Sequence, residues 1–231
     1  MEMTRHLSCP SKPARTLRAA RSLGLLLWAV WLGGAPHLGA QSGSTARDRL
    51  EQPEKVLEAT GVKPGMVIGE VGAGGGYFTF WLSRGVGESG KVYANDIDGS
   101  GLARIRRRSA DEKVTNIETI LGTVEDPLFP RDSLDMVFLV NSFHDLERPV
   151  ELLANLRPAL KAGAAVVIMD RDPAKISDPG HHFLTRAEVE DIVGRSVFEL
   201  VKVETFLLYH NLYILRARSS ISLDPAGHRP G

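Results

Sequence analysis

The chain has 231 residues, 43% of them hydrophobic and 24% charged, and its 28 basic residues balance its 28 acidic ones. This length accommodates one α/β domain with a substantial core and leaves little room for a second. Because Cys9 is the single cysteine, an intrachain disulfide framework is excluded.

Residues 1–40 differ in pattern from the rest of the chain. Basic residues precede a 13-residue apolar run, LGLLLWAVWLGGA (23–35), and small residues lead to Ala40. The pattern predicts a signal peptide cleaved after Ala40, and therefore an exported domain that is periplasmic or secreted. An uncleaved membrane anchor and an arginine-rich organelle transit peptide are the alternatives, although the run is short for a membrane span.

The remaining residues carry 23 basic and 27 acidic side chains, a net charge of −4. A mildly acidic domain argues against a nucleic-acid partner and favours a soluble enzyme acting on small molecules. The basic run at 104–108 is interpreted as a solvated helix face. The domain is predicted to span 41–218, followed by a disordered tail at 219–231.

Apolar strands and amphipathic helices alternate along this domain. The patterns predict helices at 46–60, 77–86, 99–112, 149–161 and 185–195. They predict strands at 66–71, 90–96, 116–122, within 133–143, and at 164–170, 197–206 and 210–217. The alternation predicts an α/β fold, a seven-stranded, mostly parallel sheet with helices on both faces. Ligands of such sheets bind at the carboxyl ends of the strands, which here carry residues 70–76, Asp96, 122–125, 141–145 and Asp170.

A glycine-rich loop, EVGAGGGYF (70–78), follows the first strand. A dinucleotide fingerprint, G-x-G-x-x-G/A, would require glycine or alanine at residue 77, which is Tyr77. The pattern present is E-x-G-x-G-x-G, and no P-loop spacing occurs. An acid two residues before the first glycine is unfavourable beside a pyrophosphate and suits a ligand that carries positive charge.

Four segments in order resemble the motifs of class I S-adenosylmethionine-dependent methyltransferases. They are VIGEVGAGGGYFTFWLS, GKVYANDID, ILGTVEDPLFPRDSLDMVFLVNSFHDL and LRPALKAGAAVVIMDRDP. The resemblance covers residues 53–217 and is closest to small bacterial methyltransferases of the ubiquinone/menaquinone-methyltransferase-like group. It implies a Rossmann-like methyltransferase fold and S-adenosyl-L-methionine as the cofactor.

The resemblance also implies which residues hold the methionine end of the cofactor. Glu70 and the backbone of the loop from Gly72 through Ala73 and Gly74 to Gly76 would hold the methionine portion. Asn141, after the fourth strand, would lie beside it. A tight strand-to-helix turn without a ligand is the alternative interpretation of these glycines.

Another set of positions is implied for the nucleoside end. Asp96 would accept hydrogen bonds from the ribose hydroxyls, and Ile97 would lie against the adenine. Thr123, Val124 and Glu125 would meet the adenine edge, where many relatives carry an acid in place of Thr123. Asp96 could instead serve only as a helix cap, and Glu125 could be a solvated loop acid.

The reaction predicted from this resemblance is in-line methyl transfer to a small-molecule acceptor. His144 is the candidate general base, oriented by Asp145, with structural packing as the alternative. His182 is expected to shape the substrate pocket, and Tyr209 and Tyr213 are expected to pack in the core. The histidines match no metal motif, so no metal is predicted. An NAD-type oxidoreductase and a non-catalytic protein that retains the fold are the competing hypotheses.

Overall fold

The structure is a computed structural model that describes residues 45–176 and 182–218. The predicted signal peptide, Cys9, His181 and the predicted tail at 219–231 lie outside the described residues. Within the described ranges, no helix is long and apolar enough to cross a membrane.

Seven strands form a single sheet. They are β1 (Val67–Val71), β2 (Lys91–Asp96), β3 (Ile117–Leu121), β4 (Leu134–Val140), β5 (Leu160–Arg171), β6 (Phe198–Glu204) and β7 (His210–Ala217). Their order is β3-β2-β1-β4-β5-β7-β6. Strands β1 to β5 pair in parallel, and β7 lies antiparallel between β5 and β6. The predicted seven-stranded, mostly parallel sheet is confirmed.

Helices cover both faces of this sheet. They are α1 (Ala46–Glu51), α2 (Pro53–Thr60), α3 (Tyr77–Val86), α4 (Gly99–Asp111), α5 (Pro149–Leu156) and α6 (Arg186–Gly194). In β4, Val137 belongs to the core cluster that includes residues of α5 and α6. Its neighbour Phe138 belongs to the cluster that includes residues of α2 and α3. Because successive side chains of a strand point to opposite faces, burial on both faces produces the continuous apolar run seen in the sequence.

Two predicted helices differ from the observed ones, and proline accounts for both differences. The helix predicted at 46–60 is interrupted at Gln52, whose φ is 45°, because the ring of Pro53 disfavours helical backbone in the residue before it. The helix predicted at 149–161 ends at Leu156 and continues only as a 3₁₀ turn. Pro158 has no N–H with which to extend the helix, and β5 begins at Leu160.

Candidate active site

The glycine loop packs too closely against its neighbours to carry side chains at several positions. Gly72, Gly74 and Gly76 have φ of 72°, 54° and 87°, a region that favours glycine. A Cβ on Gly72 would lie 2.5 Å from the Cβ of Ser142, which follows β4. A Cβ on Gly101, in the first turn of α4, would lie 2.4 Å from the carbonyl oxygen of Gly74. The loop is therefore clamped between the end of β4 and the start of α4.

We expect Gly72→Ala to lower the free energy of unfolding by about 2–4 kcal/mol, because alanine is strained at positive φ and its Cβ overlaps Ser142. Gly74→Ala is the matched control, since Gly74 also has positive φ but a Cβ there meets nothing within 4 Å. Its cost should be about 1 kcal/mol, the backbone contribution alone. Urea unfolding of both variants measures the difference, and equal losses would contradict the close packing at Ser142.

Asp96 connects the glycine loop to the end of β2. Its Oδ2 accepts a hydrogen bond from the backbone N–H of Gly74 at 2.7 Å, and its Oδ1 accepts one from the N–H of Asp98 at 2.8 Å. The N-cap of α4 is Asp98, whose carboxylate accepts from the N–H groups of Ser100 and Gly101. Asp96 is therefore not the cap of that helix, and its carboxylate is fixed at the rim of the sheet.

A cleft of about 270 Å³ opens beside Asp96, and we call it the Asp96 cleft. Its walls include most of the positions predicted to hold a cofactor, namely Gly72, Asp96, Ile97, Thr123, Val124 and Asn141. Ile97 is 61% exposed and Val124 is 36% exposed, although both are large apolar residues. Exposed apolar side chains at a cleft are typical of a ligand groove, and this pair suits the faces of a flat ring.

Other predicted cofactor contacts lie away from this cleft. Glu70 is buried in β1, where Thr79 Oγ1 donates to its carboxyl group, and burial raises the pKa of Glu70 to about 8. The carboxyl is therefore largely neutral at pH 7, so it offers little negative charge to a cationic ligand. Ala73 packs in a small core cluster. The half-exposed Glu125 forms an ion pair with Arg148, with 3.2 Å between Oε1 and Nε.

A second cleft, of about 580 Å³, contains His144, and we call it the His144 cleft. Five parts of the chain line it: α1 (Arg47, Leu50 and Glu51), the segment after β4 (Asn141 and His144), the end of β5 (Arg171), the segment before α6 (Phe183), and the residues where β7 begins (Tyr209 and His210). Asn141 lines both clefts. The two cavities therefore share a wall at the end of β4.

His144 is held by Asp170, the residue near the end of β5. The Nδ1 of His144 lies 2.8 Å from Asp170 Oδ1 and 2.9 Å from Oδ2, and the backbone N–H of His144 also donates to Oδ2. Since a carboxylate only accepts, Nδ1 carries the proton and Nε2 is left as the basic nitrogen. The hydrogen bond to Asp170 raises the pKa of His144. The Asp145 carboxylate lies 3.4 Å from Nε2 and its side chain is 78% exposed, so Asp170, not Asp145, orients the ring.

A hydrogen-bonded chain joins three further polar residues of the His144 cleft. Asn141 donates through Nδ2 to Glu51 Oε1 at 3.1 Å and accepts from His210 Nε2 at 2.8 Å. Burial lowers the pKa of His210 to about 4, so its ring is neutral at pH 7. Asn141 itself has a φ of 52°, an uncommon conformation for a residue other than glycine. The sequence identified Asn141 but not Glu51 or His210.

The remaining tyrosines and histidines differ in how well the sequence predicts their positions. Tyr213 is buried in the core as predicted, but Tyr209 lines the His144 cleft instead of packing in the core. His182 is exposed, and its neighbour Phe183 lies edge-on to His144, with 4.9 Å between the ring centroids. In the two described ranges, no group of three or more histidine, cysteine or acidic side chains could hold a metal ion.

Comparisons with known proteins place this architecture in one class. Residues 69–168 match the profile of a family described as a methyltransferase domain. The ubiquinone/menaquinone biosynthesis C-methyltransferase of Shewanella pealeana is 25% identical over 131 residues, which cover 56% of this chain and 50% of that protein. The corresponding protein of Azotobacter vinelandii is 29% identical over 115 residues, covering 49% and 46%. This chain thus spans about half the length of the curated relatives it matches.

A solved structure extends the likeness to the fold. The S-adenosylmethionine-dependent methyltransferase from Aquifex aeolicus is 28% identical, with a TM-score of 0.68, and the match covers 73% of this chain and 92% of that one. The sheet order, the glycine loop after β1 and the acid at the end of β2 are those of a Rossmann-like fold. The methyltransferase-domain match at residues 69–168 and the likeness to this solved structure support a class I S-adenosylmethionine-dependent methyltransferase, the family that the motifs resemble. The cofactor of this class is S-adenosyl-L-methionine, and these matches favour it over the NAD-type alternative.

Proposed function

We propose that the protein transfers the methyl group of S-adenosylmethionine to a small-molecule acceptor bound in the His144 cleft. The observation that carries the proposal is the shared wall at Asn141, which joins a nucleoside-sized cleft to a larger one containing a held histidine. Two adjoining clefts allow donor and acceptor to be bound side by side, and holding reactants close and aligned is the main source of catalysis in methyl transfer.

The residues of the Asp96 cleft fit the cofactor. The fixed Asp96 carboxylate can accept hydrogen bonds from ribose hydroxyls, and Ile97 and Val124 can flank the adenine. Gly72 lines this cleft and has no side chain, so its backbone can approach the ligand closely. The bound cofactor supplies a methyl group activated by its sulfonium, so the protein does not have to activate the leaving group.

His144 would act as the general base for an acceptor that loses a proton on methylation. The ring is oriented through Nδ1, which leaves Nε2 to take a proton from a hydroxyl, an ammonium or an acidic C–H group. Asp170 is a positioning residue, since it acts through the histidine. Phe183 and Tyr209 add aromatic surface and Arg171 adds positive charge to the same cleft, features that favour a flat acceptor with anionic character.

The first test is a transfer assay with S-adenosylmethionine labelled in its methyl group. The full chain is incubated with phenols, aromatic carboxylic acids, primary amines and activated methylene compounds, and labelled product is measured alongside S-adenosylhomocysteine. We expect transfer to at least one of these classes, dependent on both Asp96 and His144. Cofactor binding without transfer to any class would favour the non-catalytic alternative.

Replacement of Asp170 by asparagine should change the pH dependence of transfer. The base must be unprotonated, so the rate rises with pH through the raised pKa of His144. Removing the carboxylate lowers that pKa, so the rising limb should move to lower pH. The limiting rate should fall at least about tenfold, because asparagine can stabilise the wrong histidine tautomer.

The matched control for this experiment is Asp145→Asn. Asp145 also lies near the ring, but its side chain is exposed and contacts the other nitrogen. Its removal should move the pH profile less than the Asp170 change. A larger shift for Asp145→Asn would mean that Asp145 is the orienting residue after all.

A further inference from the structure

Glu51 is a buried acid that the proposed chemistry does not use. It is the last residue of α1, lies outside the matched region at 69–168, and is only 4% exposed. Its Oε1 accepts from Arg47 Nε at 2.8 Å and from Asn141 Nδ2 at 3.1 Å. Its Oε2 is buried with no hydrogen-bond partner. A buried carboxylate oxygen without a donor is costly, so a ligand that supplies one would remove the penalty.

The position of Glu51 is set by two contacts of α1 with Tyr77. The hydroxyl of Tyr77, the first residue of α3, donates to Asp48 Oδ1 at 2.7 Å. The guanidinium of Arg47 lies 3.7 Å above the ring of Tyr77. These contacts fasten α1 to the end of the glycine loop, so Glu51 is held beside the residue that both clefts share.

The chemistry of the cofactor suggests which donor completes Glu51. Gly72 and Asn141 line the Asp96 cleft, and Asn141 is the hydrogen-bond partner of Glu51, so a ligand whose nucleoside lies in this cleft has a route towards Glu51. The remaining portion of S-adenosylmethionine is an amino acid with an α-ammonium group. Glu70, the acid of the loop motif, offers little charge for that group, since burial raises its pKa to about 8. Glu51 already binds Asn141 through one oxygen and has the other free.

We propose that Glu51 binds the α-ammonium group of the cofactor's methionine portion. This inference rests on the proposed function, since it assumes that the Asp96 cleft binds the nucleoside. It assigns the recognition of the amino-acid end to α1, outside the matched methyltransferase region. A cationic acceptor held by Glu51 is the competing occupant.

Calorimetry on the full chain tests the assignment with two product analogues. S-adenosylhomocysteine carries the ammonium, whereas 5′-methylthioadenosine has the same nucleoside and sulfur but no amino-acid portion. Glu51→Gln should lower the affinity for S-adenosylhomocysteine at least about tenfold, because a hydrogen bond to a charged group is lost. The affinity for 5′-methylthioadenosine should change by less than about twofold. Glu54→Gln, at an exposed position on α2, is the control and should change neither affinity.

Each other outcome has a separate meaning. An equal loss of affinity for both ligands would assign Glu51 a structural role. Unchanged affinity for both would mean that Glu51 contacts the acceptor and not the cofactor. Both results overturn the proposal. A larger loss for S-adenosylmethionine than for S-adenosylhomocysteine would assign Glu51 to the sulfonium and also overturn it. If the wild-type protein bound none of these nucleosides, the proposed function itself would fail, and the role of Glu51 with it.

Discussion

Asp96→Ala is expected to weaken the binding of S-adenosylhomocysteine by at least about 100-fold, because two hydrogen bonds to a charged acceptor are lost. The same change removes the acceptor of the Gly74 N–H, so the loop loses the contact that fixes it to β2. Both effects act on the ligand in the same direction. Isothermal titration of the full chain with S-adenosylmethionine, S-adenosylhomocysteine and NAD provides the measurement.

Two variants separate these contributions. Asp96→Asn retains an oxygen for the Gly74 N–H but loses the charge, so its affinity should fall between those of the wild type and the alanine variant. Asp98→Ala removes the neighbouring acid, which caps α4 and does not line the cleft. It should lower stability by about 1 kcal/mol with little change in affinity. Unchanged affinity in Asp96→Ala would place the nucleoside elsewhere.

His144→Gln is expected to lower kcat for methyl transfer by about 10²- to 10⁴-fold when the acceptor must lose a proton. Glutamine cannot serve as a base at neutral pH, although it retains hydrogen-bonding capacity. Because the ring of His144 is hydrogen-bonded to Asp170, and neither Asp96 nor Glu51 is its partner, the affinity for S-adenosylhomocysteine should stay within about twofold. Steady-state kinetics with an acceptor found in the transfer assay, combined with titration of the product, measures both quantities.

The chain offers a matched histidine for this experiment. His182 is exposed and lines neither cleft, so His182→Gln should leave kcat within about twofold. A large effect at His182 would return the substrate-pocket role to that residue, as its sequence position suggests. A wild-type rate in His144→Gln would exclude general-base catalysis by His144 and leave the fold assignment intact.

The sequence predicted the sheet and most of the Asp96 cleft because the relevant information is local. Apolar runs identify the parallel strands, and parallel strands end at the same rim, which brings Asp96, Thr123 and Asn141 together. Proline effects at Gln52 and Pro158 were also local, but they concern helix ends, where patterns are least informative.

The His144 cleft could be predicted only in part, since it depends on contacts distant in sequence. The sequence places Asp170 at the correct rim but predicts the adjacent Asp145 as the partner of His144, because only the pairing of β4 with β5 brings Asp170 to the histidine. His210 reaches the rim because β7 runs antiparallel and begins where β5 ends, with Arg171 opposite His210. Glu51 lies in the His144 cleft because α1 packs against Tyr77, a contact that no sequence periodicity indicates.

The position of Asn141 also bears on how the two ligands would influence one another. Asn141 lines both cavities, its backbone has positive φ, and its side chain is hydrogen-bonded to both Glu51 and His210. A ligand that shifts this side chain in one cavity changes the lining of the other. The affinities for donor and acceptor are then thermodynamically linked, and the linkage is reciprocal. Retained S-adenosylhomocysteine would change the affinity for the next acceptor by a certain factor. The acceptor would change the affinity for S-adenosylhomocysteine by the same factor.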